Sequence, residues 1–307
     1  MAPLSLTLQP QQKAISALLL GSVFWGLFWW PLKSLGMFGI HGSIVQVYAF
    51  GLSVLLMLPF VRGSLVQLRG KSGLILLIAA LGGWATAALV ASLTEGSVVR
   101  VMLLFYLAPV WTILAARIFL GEAFTRMRII ALAIALAGLA ATLGGPEIFT
   151  TPLSAMDLLA LSSGLAFALN NVAIRVGHGL PDTVRAVAIN GGCALISLGF
   201  LLWDEQPVQM LNTTQIGILS ALSLLWVVPG TLATFYGVAR LDAGKAAILL
   251  LAELVVGVFS AVLIGGEHLS AQEIVGGILI LTAAVIEARS ETAAHDPGLM
   301  PIVKATL

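Results

Sequence analysis

The chain has 307 residues, of which 59% are hydrophobic and only 9% charged, and its formal net charge is +1. A soluble domain carries about 25% charged residues, so this composition excludes an ordinary water-soluble domain and predicts a protein whose solvent is lipid. The balanced charge gives no electrostatic basis for binding nucleic acid. The single cysteine, Cys193, excludes a disulfide within the chain.

Ten apolar runs follow one another along the chain, each close to the roughly 20 residues that a transmembrane helix needs. We predict helices at 14–32, 43–61, 73–94, 97–118, 127–144, 155–175, 184–203, 215–237, 244–264 and 273–288. The first run is too long for the core of a signal peptide, so we interpret it as the first membrane span. Ser270 and Glu273 predict a capping box ahead of the last span.

The basic residues fix the expected orientation of these ten spans. An even number of spans places both termini on one side, and we assign that side, with two short tails, to the cytoplasm. Thirteen of the fifteen basic residues then fall on the cytoplasmic side, and only Lys33 and Arg100 fall outside. Such an excess of Lys and Arg is typical of cytoplasmic loops.

A pair of Gly-Glu dipeptides indicates an internal repeat. Gly121-Glu122 recurs 145 residues later as Gly266-Glu267, and the same shift carries Arg100 onto Lys245. We therefore predict an all-α polytopic membrane protein built as two five-helix repeats, residues 1–147 and 148–307. Because five is odd, the second repeat must enter the membrane inverted.

Inverted repeats are the usual architecture of alternating-access carriers, because two similar halves of opposite orientation can exchange conformations. The alternative is a duplication that is retained only for packing, as in some channels.

Aromatic residues near the centres of spans are candidates for lining a cavity. They are Trp25, Trp84, Tyr106, Phe167 and Trp226. Stacking of an aromatic substrate on such a ring contributes ~0.5–1.5 kcal/mol per pair, whereas the alternative for each ring is ordinary packing. Trp29, Trp30 and Trp203 fall near the outer ends of spans, where an interfacial aromatic belt explains them.

Four polar or helix-breaking residues within spans complete the candidate cavity. Asn171 and Asn190 are expected to bind the amino and carboxylate groups of a substrate, the alternative being an interhelical hydrogen bond of ~0.6 kcal/mol. Glu253 is the carboxylate most clearly buried in a span; it suits a proton carrier or an ammonium contact, or a structural pair. Pro109 removes a backbone donor and is expected to kink the fourth span.

Together, the Trp25-Gly26 pair, Pro109, the two Gly-Glu dipeptides and the five-plus-five layout resemble the drug/metabolite transporter superfamily in its ten-helix EamA branch. The resemblance covers about residues 14–288. Within that branch, FYLAPVWTILAARIFLGE (105–122) is most similar to the YddG-type aromatic amino acid exporters of bacterial inner membranes. The resemblance implies export of aromatic and other neutral amino acids through a central cavity.

Other functions fit the sequence less well. It has no HExxH, GxSxG, Walker A or Rossmann motif, so we expect neither an enzyme nor a cofactor or metal site. A proton-coupled exporter of cationic drugs is the closest alternative, with Glu253 as its carboxylate. A channel remains a third interpretation. The expected partners are a neutral amino acid and the lipid bilayer. We expect a monomer, with a dimer through the Ala133–Ala137–Ala141 stripe as the alternative.

Overall fold

The structure, a computed structural model, describes residues 10–61, 63, 68, 70–120, 125–142, 153–176, 180–203, 210–241 and 243–294. The elements in these ranges are all helical. The first Gly-Glu dipeptide, residues 121–122, lies outside them, and so does the loop at 143–152 between the two predicted repeats.

Thirteen α-helices and one π-helical turn form the described part of the chain. They are α1 (Pro10–Gly26), α2 (Trp29–Met37), α3 (Gly42–Val61), α4 (Ser72–Glu95), α5 (Val98–Phe105), α6 (Ala108–Leu120), α7 (Arg126–Thr142), α8 (Ala155–Val176), α9 (Asp182–Trp203), α10 (Thr213–Leu222), the π-helix Ser223–Val227, α11 (Val228–Val238), α12 (Ala243–Leu263) and α13 (Ala271–Ala294).

Seven segments are long and apolar enough to cross a membrane. They are Pro10–Met37, Gly42–Val61, Ser72–Glu95, Val98–Phe119, Ala155–Ile174, Asp182–Trp203 and Thr213–Val238. Three shorter apolar helical stretches, Ile129–Thr142, Leu249–Leu263 and Ala271–Ile286, lie within α7, α12 and α13. The chain is therefore a multi-pass membrane protein, and a count of ten spans rests on including these three.

Three of the predicted spans are interrupted instead of continuous. The first breaks at Leu27–Phe28, between α1 and α2, and the fourth breaks at Tyr106–Leu107, between α5 and α6. The eighth contains the π-helical turn Ser223–Val227. Hydropathy does not reveal such breaks, because the side chains on both sides of each are apolar.

The helices pack in a pattern that pairs equivalent elements of the two predicted repeats. The second helix of each repeat, α3 and α9, contact one another, as do the last helices, α7 and α13. The fourth span of the first repeat contacts its counterpart through α5 and α12. The first span of each repeat also packs on the third and fourth spans of the other repeat. These contacts are α1 with α11 and α12, and α8 with α4 and α6. Two related halves would produce this arrangement.

Small residues bring several of these helices together. A Cβ atom on Gly83 of α4 would lie 2.5 Å from the carbonyl carbon of Gly192 in α9. Between α7 and α13, a Cβ on Gly138 would lie 3.0 Å from the carbonyl oxygen of Gly276. The predicted alanine stripe lies on a different face of α7 from this contact with α13, because Ala133 and Ala137 are exposed.

The capping box predicted before the last span is confirmed. The backbone N–H of Ser270 donates to Oε2 of Glu273 at 2.9 Å, and the N–H of Glu273 donates to the Ser270 hydroxyl oxygen at 3.2 Å. These two bonds satisfy donors that the first turn of α13 would otherwise leave free.

Candidate functional site

Glu253 lies at the midpoint of α12 and faces the interior of the bundle. It shares a face with Gly257 and Ser260, which are both buried, whereas Val255 and Phe259 on another face are 40% and 63% exposed. Residue Glu253 as a whole is half-buried. An ionisable side chain on a face turned away from lipid is a candidate substrate or ion site.

The first broken helix reaches α12 at Glu253. A Cβ atom on Gly26, the last residue of α1, would lie 2.7 Å from the carbonyl oxygen of Glu253. Only glycine permits this approach without displacing one of the two backbones. The break between α1 and α2 and the carboxylate of α12 are therefore held at the same depth.

The indole of Trp226 donates a hydrogen bond to a backbone carbonyl that the break between α1 and α2 leaves without its helical donor. The Phe28 N–H donates to the carbonyl of Trp25 at 3.1 Å, so the carbonyl of Phe24 lacks its usual helical donor. Nε1 of Trp226, from the π-helical turn, donates to the Phe24 carbonyl at 2.8 Å. The two irregular segments satisfy one another, as non-helical backbone inside a membrane must.

The second broken helix brings Tyr106 to the same place. Its hydroxyl donates to the carbonyl of Leu250 in α12 at 3.1 Å, about one turn before Glu253. Pro109 lies in the first turn of α6, where it contributes no N–H to the backbone. The interruption therefore begins three residues before the predicted kink.

Aromatic rings extend this site from α5 towards α8. The ring of Phe105 lies 5.3 Å from that of Tyr106 and 5.5 Å from that of Phe167, in edge-to-face contacts. Phe167 and Asn171, one turn further along α8, are both half-buried. Trp25 stacks on Phe50 at 6.4 Å, next to Gly26. The ring contacts link Phe167 to Tyr106, which bonds to α12 near Glu253. The backbone of Gly26 approaches α12 at the same residue.

Two predicted cavity residues make contacts between other helices. Trp84 of α4 donates through Nε1 to the Ser162 hydroxyl at 3.2 Å and contacts Phe200 edge to face. Asn190 is buried and donates through Nδ2 to the Ser53 hydroxyl at 2.9 Å. That bond joins α9 to α3 and matches the interhelical alternative considered for Asn190.

The interpretation of Trp29 as part of an interfacial belt is wrong. Its side chain is 3% exposed, and Nε1 donates to the Ser260 hydroxyl at 2.9 Å. Trp30 and Trp203, at 48% and 89% exposure, do present their rings outwards. Sequence position near the end of an apolar run does not distinguish the face of the helix on which a tryptophan lies.

Gln46 is a buried polar residue that the sequence analysis did not single out. Its Oε1 accepts a hydrogen bond from the Ser197 hydroxyl at 2.7 Å, and its Nε2 has no hydrogen-bond partner in the described structure. The available signal was a lone amide inside the apolar run of the second span. In the described residues, no group of three His, Cys, Asp or Glu side chains is arranged to hold a metal ion.

Comparison with known proteins gives the family. The EamA-like transporter family matches the chain twice, at residues 12–144 and 154–287. No curated protein is significantly similar to the chain. Among solved structures, one titled "Crystal structure of protein" has a TM-score of 0.59 at 18% identity, covering 92% of this chain and 99% of its own. That similarity concerns the fold alone. Because the two matches together span most of its length, the chain belongs to the EamA-like transporter family, whose members are membrane transporters of small molecules.

Proposed function

We propose that the protein exports aromatic and other neutral amino acids, or closely related metabolites, by alternating access. The observation that supports this proposal is Glu253 at the centre of α12, with the broken segments at Gly26 and Tyr106 in contact with the backbone of the same part of that helix. Carriers typically bind their substrates near the bilayer midplane, where discontinuous helices expose backbone groups.

The chemistry around Glu253 suits a ligand with an amino group and an aromatic ring. The carboxylate provides a counter-ion for an ammonium group, and carbonyl oxygens near the helix breaks add acceptors. The rings of Tyr106, Phe167 and Trp25 supply apolar and aromatic surface nearby. The resemblance of residues 105–122 to aromatic amino acid exporters points to the same class of substrate.

We further propose that the protein resides in a bacterial inner membrane with both termini in the cytoplasm. The distribution of basic residues supports this orientation. Cysteine replacement of exposed residues tests it in intact cells. Met37→Cys should react with a membrane-impermeant maleimide added outside, whereas Arg240→Cys should react only after permeabilisation; the reverse pattern would invert the topology.

Uptake into proteoliposomes tests the proposed substrate class. The purified protein should transport radiolabelled tryptophan and phenylalanine, and a panel of amino acids should rank below them. Tyr106→Ala should reduce the rate about tenfold, because it removes both the ring and the hydroxyl bond to α12. Trp203→Ala, at an 89% exposed surface position, is the matched control and should transport normally.

Export of cationic drugs in exchange for protons is the second candidate, and the position of Glu253 favours it as well. A carboxyl group inside a membrane can alternate between binding a proton and binding a cation. The same vesicles discriminate between the two functions. If only cationic dyes are taken up, and only with an imposed pH gradient, the assignment to aromatic amino acids is wrong.

A further inference from the structure

The carboxylate of Glu267 binds the N-terminus of a helix in the other half of the chain. Glu267 lies in the turn between α12 and α13. The backbone N–H of Val98 donates to its Oε1 at 2.9 Å, and that of Val99 donates to its Oε2 at 3.1 Å. These amides belong to the first turn of α5, where the helix dipole favours a negative charge.

Two side chains complete the coordination of this carboxylate. The Ser97 hydroxyl donates to Oε2 at 2.9 Å, and Nζ of Lys33 donates to Oε1 at 3.3 Å. Lys33 also donates to the carbonyl of Gly96 at 3.0 Å. These contacts, termed here the Glu267 cluster, comprise Glu267, Lys33, Ser97 and the amides of Val98 and Val99. They join α2, the α4–α5 turn and the α12–α13 turn.

The turn that presents Glu267 depends on two glycines. Gly266 has a φ of +68°, a left-handed conformation that L side chains rarely adopt. A Cβ on Gly265 would lie 3.0 Å from the ring of Trp29, which is itself bonded to Ser260 of α12. The Gly-Gly-Glu sequence therefore seats the end of α12 against α2 and directs the carboxylate towards α5.

A second ionic contact fastens α5 at the same end of the bundle. Arg100 donates through Nε to Oδ1 of Asp157 at 2.7 Å and through Nη2 to Oδ2 at 3.0 Å. Asp157 belongs to the first turn of α8 and also accepts a bond from the Ser154 N–H.

From this geometry we propose that the Glu267 cluster is the gate that closes one end of the transport path. If the protein works by alternating access, as proposed above, the structure is the conformation that is closed at the Lys33 end. Opening that end requires the α12–α13 turn to move away from α5, and this movement breaks the three hydrogen bonds from Ser97, Val98 and Val99 to the carboxylate together. Glu267 can therefore control whether the substrate site is accessible from this side of the membrane.

Distance measurements test the gate without requiring a known substrate. Spin labels at Glu95→Cys, the end of α4 before the α4–α5 turn, and at Gln272→Cys on α13, two exposed positions, report the separation of the α12–α13 turn from the start of α5. The background variant Cys193→Ala removes the buried native thiol. In lipid nanodiscs, the unaltered gate should give mainly the short distance, and Glu267→Gln should raise the ratio of the longer-distance population to the shorter about tenfold.

Glu273→Gln is the matched control, because Glu273 lies six residues further on and, within the described part of the chain, its carboxylate bonds only to Ser270 of its own capping box. It should leave the distance distribution unchanged. A Glu267→Gln distribution identical to that of the parent would overturn the proposal. So would a single broadened peak in place of two separate distances, because that result describes general loosening and no second conformation. Either outcome leaves the proposed substrate class intact, whereas failed vesicle uptake with a responsive gate would reject only that class.

Discussion

At the scale of single residues, Glu267 shows how a charge at a membrane surface can acquire a specific partner. Burial by itself would raise the pKa of this carboxyl. The amides of Val98 and Val99, the Ser97 hydroxyl and the nearby Lys33 outweigh that effect and hold the pKa below its usual value. The ionised form is thus the one that the cluster stabilises.

The stability that Glu267 contributes should therefore depend on pH. A lowered pKa in the folded protein means that the contribution is present above the ordinary carboxyl range, near pH 4 to 5, and is lost as pH falls through the lowered value. At pH 7, Glu267→Gln should reduce the free energy of unfolding by about 1–2 kcal/mol, because charge-assisted hydrogen bonds weaken. Unfolding temperatures of both proteins across pH 3 to 8 should converge at the acidic end.

Glu273→Gln provides the comparison for this titration, since its carboxylate caps only α13. A stability difference between Glu267→Gln and the parent that persists unchanged at pH 3 would contradict the proposed role of the ionised carboxylate.

The sequence predicts individual site residues unevenly. Glu253 could be identified because a carboxylate in the middle of an apolar run is rare and costly. Trp29 and Asn190 could not be placed, because the partner of each lies more than a hundred residues away, at Ser260 and Ser53. Hydropathy gives the depth of a residue in the membrane and leaves its direction open.

At the scale of helices, most predicted boundaries agree with the structure within about two residues, although the first span (Pro10–Met37) and the last helix (Ala271–Ala294) are longer than predicted. The internal breaks do not follow from the hydropathy pattern. The predicted helix at 43–61 is observed at Gly42–Val61, and that at 184–203 at Asp182–Trp203. Pro109 signals the interruption of the fourth span. The π-helical turn Ser223–Val227 has no comparable signal, because its irregularity is stabilised by the distant Phe24 carbonyl.

Close contact between α4 and α9 should make one glycine of α9 intolerant of substitution. A Cβ on Gly192 would overlap the backbone carbonyl of Ala79, which cannot move without displacing α4. We expect Gly192→Ala to lower stability by about 1–3 kcal/mol, as overpacking does elsewhere. Thermal unfolding in detergent measures the change.

The control for that substitution lies on the same helix. A Cβ on Gly199 would meet no atom within 4 Å, so Gly199→Ala should leave stability unchanged or raise it slightly through helix propensity. Equal unfolding temperatures for the two variants would show that the α4–α9 crossing is looser than the structure indicates.

At the scale of the whole molecule, the two EamA-like matches account for the pairing of equivalent helices across the chain. Each family match falls within one predicted repeat, and the helix contacts pair equivalent elements across the chain. The two-repeat organisation could be predicted from the sequence because the Gly-Glu dipeptide recurs 145 residues later. The sequence did not predict that Glu267 of the second dipeptide binds the first half of the chain, because the N–H groups of a distant helix N-terminus come within reach of its carboxylate only in the folded bundle.

Counterflow of tryptophan in proteoliposomes tests the central claim most directly. Vesicles loaded with unlabelled tryptophan should transiently accumulate external labelled tryptophan, because the internal tryptophan competes with the label for the site when it faces the vesicle interior. The initial rate should be saturable, and Glu253→Gln should lower it about tenfold or more. Flux that rises linearly with concentration and shows no acceleration by internal tryptophan would contradict the account and indicate a pore.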